Sequence, residues 1–166
     1  MQVYKPNSRN TGALCSFSVT SSGKSQGIYA EILKQKTWDE KSKTGTFDTT
    51  KENKINLKFT VAEIAAMSII CQKQKGEATF FHNTGEVTSS IKFYIYNRKD
   101  KDSGVETPAG IALSVTKGDK KASVPFTFAE AFALSRWFDF AFNRIFTADY
   151  TERKNLFKKL EETKVA

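Results

Sequence analysis

The chain has 166 residues, with 26 Lys+Arg against 18 Asp+Glu for a formal charge of +8, one His and two Cys. That length suits one domain able to bury about two-thirds of its unfolded surface, and 39% hydrophobic with 27% charged residues excludes a disordered chain. The longest apolar run, within Val61 to Cys71, is too short to span a bilayer, and two distant cysteines make no disulfide framework.

The first residues, Met1-Gln2-Val3-Tyr4-Lys5, lack both the apolar core of a secretory signal and the Arg/Ser-rich pattern of a transit peptide. Cys15 and Cys71 read as reduced, small core residues. The expectation is a soluble protein of a reducing, intracellular compartment.

Along the chain, β-branched and aromatic residues alternate with polar ones between turn formers, the mark of half-buried strands. In the first half this predicts strands over Ala13–Thr20, Gly27–Lys36, Gly45–Thr49 and Lys54–Phe59, then a helix from Thr60 to about Lys75. In the second half it predicts Glu77–His82, Ser89–Arg98, Gly110–Lys117 and Lys121–Phe126, then a helix from Thr127 to about Phe146. Ser21-Ser22-Gly23, Asn83-Thr84-Gly85 and Lys117-Gly118-Asp119 supply short turns for antiparallel neighbours. Trp38–Gly45 and Lys99–Pro108 read as longer, charged hairpin tips.

The halves repeat. Phe59-Thr60-Val61-Ala62-Glu63-Ile64-Ala65-Ala66-Met67-Ser68 lies without gaps on Phe126-Thr127-Phe128-Ala129-Glu130-Ala131-Phe132-Ala133-Leu134-Ser135. In each, Thr followed three residues later by Glu is a capping box that opens a helix. The fold class expected is α+β: a duplicated ββββα unit giving two antiparallel four-stranded sheets, each followed by a helix. The first helix is apolar on more than one stripe and should be covered on several sides. The second puts Phe128, Ala131, Leu134, Phe138, Ala141 and Ile145 on one face and Phe132, Arg136, Phe140 and Arg144 on the other. An exposed aromatic/Arg stripe fits a subunit interface; the alternative cover is the C-terminal segment Tyr150–Leu160, folded back as a short basic helix.

No catalytic, metal or cofactor site is predicted. His82 lies in Phe80-Phe81-His82, read as a buried strand end where a lone His is a hydrogen-bonded structural residue. Two Cys and one His do not supply a zinc site, and neither a G-x-x-x-x-G-K loop nor a G-x-G-x-x-G motif is present.

What remains is a strand that splits by parity: Ile91, Phe93 and Ile95 one way, Lys92, Tyr94, Tyr96 and Arg98 the other. Cations that neutralise phosphate beside rings that stack bases suit single-stranded nucleic acid; ordinary cross-strand Lys/Tyr pairing on a solvated face explains the same pattern. Residues 1–60 carry 10 Lys/Arg and 5 Asp/Glu, so the positive charge concentrates in the first half. The candidate phosphate contacts are Lys34, Lys36, Lys54, Lys58, Lys92 and Arg98, and the candidate stacking residues are Tyr29, Trp38, Phe47, Tyr94 and Tyr96.

Two four-strand-plus-helix units with these helix starts resemble the Whirly family of single-stranded-DNA-binding proteins. The residues that carry the resemblance are Glu77-Ala78-Thr79-Phe80-Phe81-His82-Asn83, Ala112-Leu113-Ser114-Val115 and Ser123-Val124-Pro125-Phe126-Thr127. It covers about residues 11–146, within a single domain over 1–150 built of repeats 11–75 and 77–146, and leaves 151–166 as a mixed-charge tail. The resemblance implies a homotetramer built through helical packing, with single-stranded DNA as partner and no membrane. The implied role is coating and protecting single strands in replication, recombination or repair, without catalysis. The alternative is an RNA-binding or transcription-regulating protein that uses the same surface; a structural protein with an acidic partner is a third reading. The compartment expected is the cytoplasm of a bacterial or phage-infected cell, or alternatively an organellar nucleoid. Asn10-Thr11-Gly12-Ala13-Leu14 departs from the family's lysine-glycine-lysine-alanine-alanine, and Arg144-Ile145-Phe146 replaces its glycine-tryptophan ending.

Overall fold

The computed structural model describes residues 1–21, 25–50 and 52–164, with side chains to residue 156. Its strands and helices are β1 (Gln2–Lys5), β2 (Ala13–Thr20), β3 (Gly27–Asp39), β4 (Thr44–Phe47), β5 (Lys54–Phe59), α1 (Val61–Lys73), β6 (Glu77–Thr84), β7 (Val87–Lys99), β8 (Glu106–Lys117), β9 (Lys120–Phe126) and α2 (Phe128–Lys164). Every strand pairing is antiparallel. The first sheet runs β1-β2-β3, with β5 along the first part of β3 and β4 along its end; the second runs β6-β7-β8-β9.

The first sheet therefore has five strands where four were expected, because β1 adds to the edge of β2. Of β1's side chains only Val3 is buried, so pairing and not hydrophobic pattern makes the strand. The expected turn at Ser21-Ser22-Gly23 falls partly outside the described residues.

Each sheet turns one face inward. Cys15 and Phe17 on β2, Ile28, Ala30 and Ile32 on β3, and Ile55, Leu57 and Phe59 on β5 line one wall; Ile91, Phe93, Ile111, Leu113, Val115, Val124 and Phe126 line the other. Helices α1 and α2 pack on each other between them. Phe17 of the first sheet meets Phe126 of the second at 6.5 Å between ring centroids and Phe138 of α2 at 5.6 Å, edge to face.

The expected inner face of α2 is buried from Ala131 to Ile145, with Phe128 packed at its margin. The helix does not stop near Phe146. It continues unbroken to Lys164, 37 residues or about 55 Å, because no Gly or Pro interrupts 128–164. The segment from Tyr150 is thus a continuation of α2 and not a separate helix folded back, and Phe132 and Phe140 stay about half exposed. Helix α1 buries Ile64, Met67, Ser68, Ile70 and Cys71 but leaves Val61 and Ile69 exposed, so the cover expected on several sides is incomplete within one protomer. Nor is Phe80-Phe81-His82 buried throughout: Phe81 is 69% exposed.

Both capping boxes form. The Thr60 amide donates to Glu63 Oε2 at 2.8 Å and the Thr127 amide to Glu130 Oε2 at 2.7 Å, while each Glu amide returns a bond to the Thr hydroxyl at 3.3 Å. Each capping carboxylate also ties its helix to the first strand of the opposite sheet. Glu63 bonds His82 on β6 at 2.7 Å, and Glu130 bonds Lys5 on β1 at 2.6 Å. His82 is thus hydrogen-bonded, as expected for a lone His on a strand.

Burial pushes both carboxyls upward, but the hydrogen bonds outweigh it: for Glu63 those from the Thr60 amide and His82, for Glu130 those from Lys5 and the Thr127 amide. Both pKa values end below the usual 4.5. A depressed carboxyl stabilises the fold fully above its unfolded pKa and loses that contribution as pH falls through the lower folded value. Thermal midpoints should therefore fall as pH drops below about 4.5. Glu63→Gln/Glu130→Gln should be less stable at pH 7 and show a shallower acid limb; the same limb in variant and parent would contradict the assignment.

Candidate nucleic-acid interface

The outer face of the second sheet is laid out by register. Phe81, Ser90, Thr116 and Lys121 form one cross-strand row, Thr79, Lys92, Ser114 and Ser123 the next, and Glu77, Tyr94, Ala112 and Pro125 the third. Tyr96 pairs with Gly110 in the fourth. Successive rows are about 7 Å apart. The face is therefore a field of hydroxyls and half-buried tyrosine rings, with one cation on an inner strand and another on the β9 edge.

Lys92 reaches two partners, Glu77 Oε2 at 2.9 Å and the Tyr94 ring at 5.2 Å from its centroid. The Tyr94 hydroxyl lies 3.4 Å from Ser114 Oγ, which in turn lies 3.0 Å from Ser123 Oγ. Tyr96 leans over Gly110: a Cβ there would sit 2.9 Å from the Tyr96 ring and 2.1 Å from the Phe126 carbonyl oxygen. Only glycine lets the ring and the β9 backbone close on this point. A register shift follows Tyr96, and Arg98 pairs with Thr107 on the hairpin arm beyond it.

One side of this face is walled by the loop between β1 and β2. A groove of about 500 Å³ runs between Tyr94, Tyr96 and Ser123 on the second sheet and Lys5 at the end of β1 with Asn7 and Thr11 on the loop. A smaller depression beside it brings Lys34 together with Lys121. The loop is held by one buried side chain, Gln35, 7% exposed. Its Oε1 accepts from the Asn7 amide at 2.9 Å and the Gly12 amide at 3.2 Å; its Nε2 donates to the Asn7 carbonyl at 2.9 Å and the Thr37 carbonyl at 3.0 Å. Gly12 allows this closeness, since a Cβ would lie 2.3 Å from both Gln35 Oε1 and the Lys5 carbonyl oxygen. The groove wall is thus preformed.

The structure gathers some of the sequence-predicted residues and separates others. Lys92, Tyr94 and Tyr96 share the outer face of the second sheet, Arg98 extends it along the arm, and Lys34 faces its β9 edge. Tyr29, Lys54 and Lys58 share the outer face of the first sheet, where Lys58 stands 5.7 Å from the Tyr29 ring centroid and Lys54 pairs with Glu31 at 2.7 Å. The Tyr29 hydroxyl donates to the Ser25 carbonyl. Lys36 is exposed at the register shift between β3 and β4. Phe47 packs edge-on against Tyr4 at 5.1 Å, and Trp38 is half-buried on the same hairpin.

Lys5, Lys121, Gln35 and Phe81 were not anticipated. Lys121 was legible, because it shares parity with Ser123 on a predicted strand; Lys5 lies on a strand the pattern did not reveal. Nothing in the sequence marks Gln35 as buried. Among the described residues no cluster of His, Cys, Asp or Glu is arranged to hold a metal ion, and no helix is long and apolar enough to cross a membrane.

This architecture is shared with solved structures. The chain matches WHY1 from Arabidopsis thaliana with a TM-score of 0.56 at 18% identity, covering 96% of this chain and 90% of that one. The chain has the Whirly-like fold. It likewise matches the plant transcriptional regulator PBF-2 with a TM-score of 0.56 at 19% identity, over 95% of this chain and 86% of the other. The MRP1/MRP2 structure of Trypanosoma brucei matches with a TM-score of 0.55 at 14% identity, over 86% and 82%. No family model matches the sequence, and no curated protein matches it. At these identities the Whirly-like likeness is one of backbone, so the local sequence is free to differ at every functional position.

Proposed function

We propose that the protein binds single-stranded DNA with little sequence preference, coating and protecting exposed strands in replication, recombination or repair, without catalysis and as a homotetramer. The observation that carries this reading is the second sheet's outer face: two half-buried tyrosines, a lysine in the neighbouring cross-strand row, and a preformed groove beside them. Rings offer a stacking platform that every base can use, and Lys34, Lys92, Arg98 and Lys121 supply the cations a phosphate backbone requires. The likeness to WHY1 supports it through the fold.

The test is binding to oligo-dT and to a matched duplex over a salt series. Tighter binding to the single strand is expected, with a log–log salt slope of about −3 to −4 for four to six phosphates neutralised. Equal affinity for both at every salt concentration would sink the reading. A second reading, transcription regulation or RNA binding through the same face, is favoured by the likeness to a plant transcriptional regulator. Competition between RNA and DNA of one sequence separates the two, since only contacts to the 2′-hydroxyl reward RNA.

A further inference from the structure

Among the described side chains the last buried one of α2 is Ile145, and the exposed part of the helix beyond it meets the residues that lead into β3 where Gln26 Nε2 donates to Asp149 Oδ1 at 2.6 Å. Along this part lies a groove of about 840 Å³, whose lining among the described residues is α2 itself with Ser21 on the other bank. One row of its lining, at four-residue spacing, is Phe140, Arg144, Ala148, Glu152 and Leu156. This row is a chemical palindrome about Ala148: small at the centre, opposite charges one step out, large apolar groups two steps out. The adjacent row, Asn143, Thr147, Thr151 and Asn155, is a palindrome as well.

A surface whose chemistry reads the same in both directions is what an isologous, two-fold contact requires, because each residue i must suit the partner's residue j and the reverse. We infer that the projecting half of α2 pairs antiparallel with the same segment of a second copy, about a two-fold axis at Ala148. Rows at i±4 are the ridges that interdigitate in the commonest helix–helix packing class, crossing at about −50°. Ala148 permits close approach at the crossing, and Arg144 of each copy meets Glu152 of the other on either side of it. Within the protomer neither residue has an ion-pair partner among the described residues: Arg144 lies over the Phe140 ring at 6.0 Å, and Glu152 is exposed. Both are left for the second copy. Phe132 and Arg136, further along the same helix, remain for the additional contact that a tetramer needs.

The test combines charge reversal with cross-linking, read by solution mass. Arg144→Glu and Glu152→Arg should each weaken self-association at least tenfold, since each sets like charges against each other twice. The double variant Arg144→Glu/Glu152→Arg should regain the parent's mass, because antiparallel pairing restores both ion pairs; a parallel pairing, with like residues facing, gives no such rescue. Ala148→Cys should form an intermolecular disulfide on oxidation. The native thiols do not compete, since burial pushes both Cys15 and Cys71 up to about 12. Far-ultraviolet circular dichroism confirms that each variant keeps its helix. A monomeric parent protein, single variants with unchanged mass, or a double variant that stays dissociated would each overturn the inference.

Discussion

Replacing Tyr94 and Tyr96 together by Ala should lower affinity for oligo-dT about 100-fold, with little change in thermal midpoint. Each ring stacked on a base contributes ~1–3 kcal/mol, and two losses near the middle of the lower half of that range multiply to about two orders of magnitude. Both rings stand on the outer face, half-buried, while the strand's inward residues Ile91 and Phe93 carry its packing. The hydroxyls are secondary: only that of Tyr94 has a side-chain neighbour on the sheet, Ser114 at 3.4 Å. Tyr94→Phe/Tyr96→Phe should therefore keep most of the affinity. Titration of fluorescent oligo-dT at fixed salt measures all three proteins. An Ala pair that binds as the parent does would move the interface off this face.

The legible part of this surface was its parity. An alternating strand states which residues share a side, so Lys92, Tyr94 and Tyr96 were placed together from sequence, and β2 and β5 were bounded as Ala13–Thr20 and Lys54–Phe59. Capping boxes located both helix starts, because a Thr and a Glu three residues apart carry their own geometry. What parity does not carry is which sheet's face opposes which loop. The groove beside Tyr94 and Tyr96 is made by Lys5, Asn7 and Thr11, more than eighty residues away in the chain. Its wall depends on Gln35, whose burial follows largely from the backbone groups of Asn7 and Gly12 that converge on it from more than twenty residues away.

The two missed elements have different causes. β1 is four residues long with one inward side chain, too short for a period, and it exists because β2 offers an open edge. The length of α2 was underestimated because its apolar face changes character after Ile145, where it leaves the core; the helix persists because nothing breaks it. That change of character is the observation on which the proposed antiparallel pairing of the projecting half rests.

The largest stability loss should come from Phe126→Ala. Phe126 occupies the position in the second repeat that Phe59 holds in the first, the last strand residue before the capping Thr. It is fully buried, and its ring meets Phe17 of the first sheet at 6.5 Å and Phe93 of the second at 6.3 Å. Its backbone is equally engaged, since β8 closes on its carbonyl oxygen at Gly110. Truncation leaves a cavity where the two sheets and the start of α2 converge. Burial of this kind is worth ~3–5 kcal/mol for Phe→Ala, a third or more of the stability of an ordinary domain. For a chain of this size that corresponds to a fall of about 10 °C or more in thermal midpoint. Because the lost contacts belong to both sheets, unfolding should remain a single transition, coincident by far-ultraviolet circular dichroism and by fluorescence of Trp137, which packs on Phe17 at 5.9 Å. Phe81→Ala, which removes an equally large ring from an exposed position on β6, should move the midpoint by no more than about 2 °C, the change expected of a surface site. Two separated transitions in the Phe126→Ala protein would mean that the repeats fold as independent units, and that the shared core does not couple them.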